Sequence, residues 1–107
     1  MEKRACERIE LAGYAVHFID IDIDSSVVIT DISKEGLRMT NVPRKLAYKE
    51  TPTKITISGN FLSGYQSLTI MPCWRKKNAL YWDVGFYIHN VPAFWRRFFR
   101  VIKIKDR

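Results

Sequence analysis

Apolar and polar residues alternate with a period of two in several short stretches, as expected for strands with one buried face. The clearest stretch is residues 79–90, in which alternate positions form one apolar side: Leu80, Trp82, Val84, Phe86 and Ile88. Residues 65–76 form a second strong strand pattern just before it. The basic sequence RKKN, residues 75–78, predicts the hairpin turn that joins the two.

Weaker patterns predict further strands at 14–20, 21–30, 36–41 and 54–58. Residues 41–53 contain two prolines and four charged residues, which predicts a loop or a broken strand. Short strands spaced by about 8–12 residues are typical of small barrels and sandwiches. We expect an all-β fold, namely a six-stranded antiparallel barrel, because closing the sheet removes its exposed edges.

The pattern changes after Pro92, a residue suited to the first turn of a helix. Apolar residues then recur at helical spacing and predict an amphipathic helix at about 92–104. The apolar stripe contains Val91, Phe94, Trp95, Phe98 and Ile102, and the opposite face contains Arg96, Arg97, Arg100 and Lys103. Either this stripe covers the barrel, or the aromatic side chains of Phe94, Trp95, Phe98 and Phe99 dock a partner or a membrane surface.

The length of 107 residues fits one domain, and its net charge of +7 is unevenly distributed. Residues 1–73 contain nine Lys and Arg against nine Asp and Glu, whereas residues 74–107 contain nine against two. The basic excess therefore lies in the last third. It attracts anions in general but specifies no mechanism.

Several classes of protein find no support in the sequence. No apolar run approaches the roughly 20 residues of a membrane helix, and the charged start MEKRACERIE does not resemble a secretory signal. Cys6 and Cys73 lack metal-site spacing and are expected as two thiols in a reducing, cytoplasmic setting, with one disulfide between them as the less favoured alternative.

Candidate catalytic and metal-binding patterns are weak. Asp20, Asp22 and Asp24 have the spacing of a calcium loop, but Ser25 stands where glycine is needed, so we expect a solvated strand face and no metal site. His17 has no triad context, and no glycine-rich phosphate loop is present. The sequence predicts no enzyme.

Two polar motifs are more informative in combination. Asp31, Ser33 and Gly36 are spaced D-x-S-x-x-G between two strand patterns. Alone, this favours a turn, since Asp and Ser hydrogen-bond nearby backbone and glycine accepts a positive φ. Arg4 and Arg8 are spaced R-x-x-x-R, which brings two guanidinium forks to one side of a helix or strand.

R-x-x-x-R followed about two dozen residues later by D-x-S-x-x-G resembles the PilZ domain family, whose members are six-stranded antiparallel barrels that bind the bacterial messenger cyclic di-GMP. The sequence MPCWRKKNALYWDVGFYIHNV and the C-terminal helix resemble the family's late strand pair and helix, so the resemblance covers nearly the whole chain. It implies a flexible lead-in at 1–11 and a PilZ barrel at 12–107.

The resemblance also implies a role for each motif residue. Arg4 and Arg8 would hold phosphates and guanine edges, Asp31 and Ser33 would hydrogen-bond a guanine, and Gly36 would allow close approach of the backbone. A carboxylate suits the donor edge of guanine, as arginine suits phosphate. Many members have an additional arginine where Lys3 stands here, so Lys3 is a possible further contact.

The function implied is a receptor without cofactor or enzymatic activity, which relays cyclic di-GMP to an effector protein as its N-terminal segment becomes ordered. Motility, biofilm exopolysaccharide and virulence are the outputs that the family regulates. One alternative is a PilZ-like adaptor that does not need the nucleotide. A less favoured one is a small basic barrel that binds nucleic acid through Arg75, Lys76 and Lys77 beside Trp74 and Tyr81.

Overall fold

The computed structural model describes residues 8–11, 15–18, 27–59, 62 and 64–105, with residues 15–18 described by their backbone. The predictions for Lys3 and Arg4 fall outside these ranges, as does the aspartate run at 20–24. In the described part of the chain, no helix has both the length and the apolar character needed to cross a membrane.

Strands dominate the described residues. In chain order they are β1 (Ile9–Glu10), β2 (Ala15–Phe18), β3 (Val28–Ser33), β4 (Gly36–Val42), β5 (Thr53–Ser58), β6 (Gln66–Asn78) and β7 (Tyr81–Ile88). The helices are α1 (Arg44–Ala47) and α2 (Ala93–Lys105). The predicted mainly-β fold with a C-terminal helix is confirmed at this level.

All described strands belong to one antiparallel sheet, in the order β1-β3-β2-β5-β6-β7-β4, and β4 also pairs with β3. The described pairing of β2 with β3 consists of Ala15 opposite Val28. The sheet is therefore established, while its closure into a six-stranded barrel stays a prediction. Within the predicted lead-in, Ile9 and Glu10 pair with β3 opposite Ile32 and Asp31.

The core lies on one face of the sheet and follows the alternation seen in the sequence. Val84, Phe86 and Ile88 of β7 are buried, as are Leu37 and Met39 of β4. Leu80 does not continue this face, because it lies in the hairpin turn with 84% of its surface exposed.

Helix α2 contributes its apolar stripe to the same core. Trp95, Phe98, Phe99 and Ile102 are buried in the cluster formed by the strands, and Phe94 packs against it partly buried. The stripe therefore covers the core. Packing against the sheet already occupies the surfaces of Trp95, Phe98 and Phe99. Docking of a partner through these aromatic side chains stays a prediction.

Two local predictions are wrong. Residues 75–78 belong to β6, and the turn consists of Ala79 and Leu80, with Ala79 in the left-handed region at φ 58°. Within 41–53, residues 44–47 form helix α1. Pro43 precedes it with φ −69°, and its carbonyl accepts the first helical hydrogen bonds, while Leu46 and Ala47 are buried.

Candidate functional site

A row of residues crosses four strands on the sheet face opposite the core. Asp31 of β3 stands opposite Arg38 of β4, Arg38 opposite Gly85 of β7, and Gly85 opposite Trp74 of β6. Arg38 lies between the buried Leu37 and Met39 along β4, so the strand pleat directs it outward. The register thus assembles polar and aromatic side chains from distant parts of the sequence.

Arg8 joins this row from outside the sheet. Its Nη1 donates a hydrogen bond of 3.0 Å to Oδ1 of Asp31. Ile9, the next residue, is buried in the core and paired opposite Ile32. This pairing fixes the backbone position from which the Arg8 side chain extends. The two predicted motifs therefore meet directly, although 23 positions separate these residues.

The Asp31 carboxylate lies between two guanidinium groups. Its other oxygen, Oδ2, is 3.7 Å from Nη1 of Arg38. The Asp31 side chain is 10% exposed, whereas that of Arg8 is 54% exposed. An ion pair with one partner so open to water contributes about 1 kcal/mol or less. The pair therefore matters for positioning charges more than for stability.

Arg8 and Asp31 line a cleft of about 250 Å³, together with Ser33, Gly36, Trp74 and Tyr87. The volume lies just below the roughly 300–1,000 Å³ of pockets that enclose a whole ligand. The cleft is suited to seat one flat ring and leave the rest of a larger ligand outside. It unites Arg8 with all three residues of the D-x-S-x-x-G motif.

Gly36 has a different role from the one its turn position suggested. Its φ lies outside the left-handed region, and it begins β4 opposite Tyr87. A Cβ atom here would lie 2.6 Å from the carbonyl oxygen of Phe86. Glycine is needed because β4 and β7 approach closely beside the cleft, and not because the turn demands a positive φ.

The turn itself consists of Lys34 and Glu35, and buried groups hold it on two sides. The indole Nε1–H of Trp95 donates to the Ser33 carbonyl at 3.0 Å. The backbone N–H of Ile88 donates to the Glu35 carbonyl at 2.8 Å. Helix α2 and strand β7 therefore anchor the hairpin that carries Asp31 and Ser33. Asp31 lies in the strand and bonds arginine rather than the turn backbone.

Trp74 lies directly over Gly85, so that a Cβ on Gly85 would overlap its indole ring. A bulge between Pro72 and Trp74 shifts the register of β6 at this point, and bulges commonly redirect a side chain. The ring is 38% exposed, with the Cζ atom of Arg38 5.8 Å from its centroid. Glycine within a strand is a recognised sign of close packing over the backbone.

Arg38 also reaches a second carboxylate. Its Nη2 lies 3.6 Å from Oδ2 of Asp83, and the Thr40 hydroxyl donates to Oδ1 of Asp83 at 2.7 Å. The Thr40 hydrogen bond, helped by Asn78 and Arg38, lowers the pKa of Asp83 below its ordinary value of 3.8. Asp31 and Asp83 thus hold Arg38 from both sides. Sequence reasoning missed Arg38, although the alternation of β4 places it on the outer face.

Cys73 also lines the cleft, and partial desolvation raises the pKa of its thiol, which favours the neutral form. Among the residues that the structure describes, no three His, Cys, Asp or Glu side chains are grouped closely enough to hold a metal ion.

The basic end of the β6–β7 hairpin is engaged with its own chain. Arg75 Nε donates to the Ala47 carbonyl at 2.8 Å, and its Cζ atom lies 4.3 Å from the Tyr48 ring centroid. Lys77 Nζ lies 5.0 Å from the Trp82 ring centroid. Two of the three cations considered for nucleic-acid binding therefore pack against neighbouring aromatic rings.

No family model fits the chain, and no curated protein matches it. The resemblance to PilZ domains therefore depends on the motif residues and their arrangement.

Proposed function

We propose that this protein is a cyclic di-GMP receptor of PilZ type. The observation that carries the proposal is the 3.0 Å hydrogen bond between Arg8 and Asp31. It brings an arginine of R-x-x-x-R to the acid of D-x-S-x-x-G, at a cleft that Ser33 and Gly36 also line. If the two motifs occurred by chance, their side chains would not be expected to lie in contact.

Each side chain has a chemical task in the proposed complex. Asp31 accepts hydrogen bonds from the N1–H and N2–H₂ donors of one guanine, and Ser33 adds a further polar contact. Arg8 turns from Asp31 toward a phosphate or the O6/N7 edge, for which its planar fork is suited. The exposed ring of Trp74 provides a surface for stacking the base.

The fold proposed for this receptor is the closed barrel of the family. The pairing of β2 with both β3 and β5, together with that of β4 with both β3 and β7, supports closure. A closed sheet gives the outer face a fixed curvature, which keeps Asp31 and Trp74 at a constant separation.

Signalling in this proposal occurs in the cytoplasm and uses the N-terminal segment. Arg4 joins Arg8 on the ligand, with Lys3 as a possible further contact, and the segment becomes ordered over the cleft. An effector protein recognises the changed surface, and the outputs are those of the family: motility, exopolysaccharide or virulence. No metal, cofactor, nucleic acid or catalytic step is required.

Isothermal titration calorimetry with cyclic di-GMP tests the proposal, with GTP as a control that has one guanine but a different phosphate arrangement. We expect saturable heat with cyclic di-GMP and much weaker binding of GTP. Folded protein that gives no heat at ~100 μM cyclic di-GMP would overturn the proposal.

Arg8→Ala is the first variant to titrate, with Arg97→Ala as its matched control, since Arg97 is an exposed arginine on α2 outside the cleft. Loss of a charge-assisted contact predicts an affinity at least about tenfold weaker for Arg8→Ala and an unchanged affinity for the control. If effector binding survives in Arg8→Ala cells, the nucleotide is dispensable and the adaptor alternative is correct.

Asp31→Ala is expected to weaken binding and to reduce stability by no more than about 1 kcal/mol, because both of its arginine partners are well exposed to water and Arg38 keeps its second carboxylate. Urea denaturation measures the second effect separately from calorimetry. Unchanged nucleotide affinity in this variant would show that the carboxylate is only structural.

A further inference from the structure

A second cleft lies on the other side of the Lys34–Glu35 turn, between that turn and helix α2. Its volume is about 410 Å³. Four cationic side chains line it, against a single carboxylate: Lys34, Arg96, Arg100 and Lys103 face Glu35. It is therefore strongly electropositive, and neither sequence motif includes the α2 cations.

The three cations of α2 are arranged in a row. Arg96, Arg100 and Lys103 follow at spacings of four and three residues, which places them on one side of the helix over a length of about 10 Å. Arg96 and Arg100 are exposed. A row of separated charges matches a series of carboxylates about 6 Å apart, the repeat of acidic residues along a helical or extended peptide. A single compact phosphate would engage only one end.

The wall of this cleft is partly apolar. Phe99 and the half-buried Val91 line it beside the cations. Cations beside apolar surface suit a chain that presents acidic and aliphatic side chains together. We propose that this cleft is the docking site for an acidic segment of a partner protein, with carboxylates on Arg96 and Arg100 and an aliphatic side chain against Phe99.

The position of Glu35 links this docking site to the first cleft. Glu35 lines both clefts, and its carbonyl is held by Ile88. A ligand that contacts the Ser33–Gly36 turn therefore also acts on the wall of the second cleft. This coupling rests on the proposed nucleotide function, whereas docking of the acidic segment does not.

Fluorescence anisotropy with a short fluorescein-labelled peptide of alternating Glu and Leu tests the docking site directly. The variant is Arg96→Gln with Arg100→Gln, both exposed, so the fold is retained. Its matched control is Arg97→Gln with Lys76→Gln, which removes the same charge from exposed positions outside the cleft. We expect the Kd to rise about tenfold in the first variant and to stay within about twofold of wild type in the control.

Equal weakening in both variants would reduce the interaction to general charge attraction and overturn the site. A competition experiment adds inorganic phosphate, with chloride at the same ionic strength as the control. If phosphate displaces the peptide and chloride does not, the cleft is a simple anion site and the proposed docking site is overturned. A peptide with Gln in place of Glu is expected not to bind.

Adding saturating cyclic di-GMP tests the coupling, with an expected change in peptide Kd of about fivefold or more. If calorimetry shows that the nucleotide is bound and the peptide Kd does not change, the coupling through Glu35 is overturned. Peptide binding in a protein that binds no nucleotide would leave the docking site standing and remove the proposed receptor function.

Discussion

The β3–β4 and β6–β7 hairpins share a local design and differ in what surrounds them. Each joins antiparallel strands through a two-residue turn, Lys34–Glu35 in the first and Ala79–Leu80 in the second. Trp95 and Ile88 bond the backbone of the first turn. The second turn projects into solvent.

The contrast shows that a hairpin becomes a platform for a site through its tertiary neighbours rather than through its own sequence. Functional groups need supports that hold them within a fraction of an ångström, and buried bonds from α2 and β7 supply this to the first hairpin. The second hairpin also contains several cationic and aromatic side chains, but these side chains stabilise one another. Substitutions should therefore separate the two hairpins clearly.

The largest effect is expected from Trp95→Ala. This side chain is fully buried, and its indole bonds the Ser33 carbonyl. Loss of a core tryptophan predicts about 3–5 kcal/mol less unfolding free energy, measured by urea denaturation. Trp74→Ala, in which the lost ring is partly exposed, is the matched control. If both variants lost the same amount, the first hairpin would not depend on α2.

Gly36→Ala is expected to cost about 1–3 kcal/mol, because the new Cβ meets the rigid Phe86 carbonyl at 2.6 Å. Gly85→Ala provides the comparison within the same sheet. There the new methyl meets the ring of Trp74, a side chain that is 38% exposed and yields more readily than a backbone carbonyl. We therefore expect Gly85→Ala to be the milder change in thermal denaturation, and the reverse order would contradict this account of Gly36.

Acidification tests Asp83, which connects β7 to Thr40 on β4 and Asn78 on β6. Its pKa is lowered in the folded protein, chiefly by the Thr40 hydrogen bond, so its contribution is complete above its ordinary pKa of 3.8 and is lost as pH falls through the lower, folded value. Unfolding free energy should fall less steeply below that pH in Asp83→Asn than in wild type. Identical pH profiles would show that Asp83 contributes nothing of this kind.

The smallest effect is expected at the tip of the second hairpin. Leu80 is 84% exposed, so Leu80→Ser should change the unfolding free energy by no more than about 0.5 kcal/mol. A larger loss in urea denaturation would show that the tip packs against something, and the contrast between the hairpins would disappear.

The sequence pattern correctly predicts the strands and the helix in which one face is buried and the other is exposed to solvent. Val84, Phe86 and Ile88 show this in β7, and the buried stripe of α2 shows it at helical spacing. The alternation of apolar and polar residues does not predict the structure of residues 73–81. Every residue there is exposed, so neither face of the strand needs to be apolar. The cationic run there suggests a turn, although the backbone continues as strand to Asn78.

The candidate site likewise contains residues that the sequence predicts and residues that it does not. Arg8, Asp31, Ser33 and Gly36 were predicted from the two motifs, which also gave Arg4 outside the described residues. Arg38 and the packing of Trp74 on Gly85 depend on how strands pair across the sheet. A single strand's pattern shows which face a residue occupies, but not which residue stands opposite.

The position of Trp74 over Gly85 has a spectroscopic consequence. The chain has three tryptophans, of which Trp95 is fully buried, Trp82 is partly buried and Trp74 opens to the first cleft. A neutral quencher such as acrylamide therefore reaches Trp74 most readily. A molecule seated in the cleft shields that one indole and lowers the quenchable fraction of emission. The protein thus contains its own optical reporter of cleft occupancy, and no label is needed.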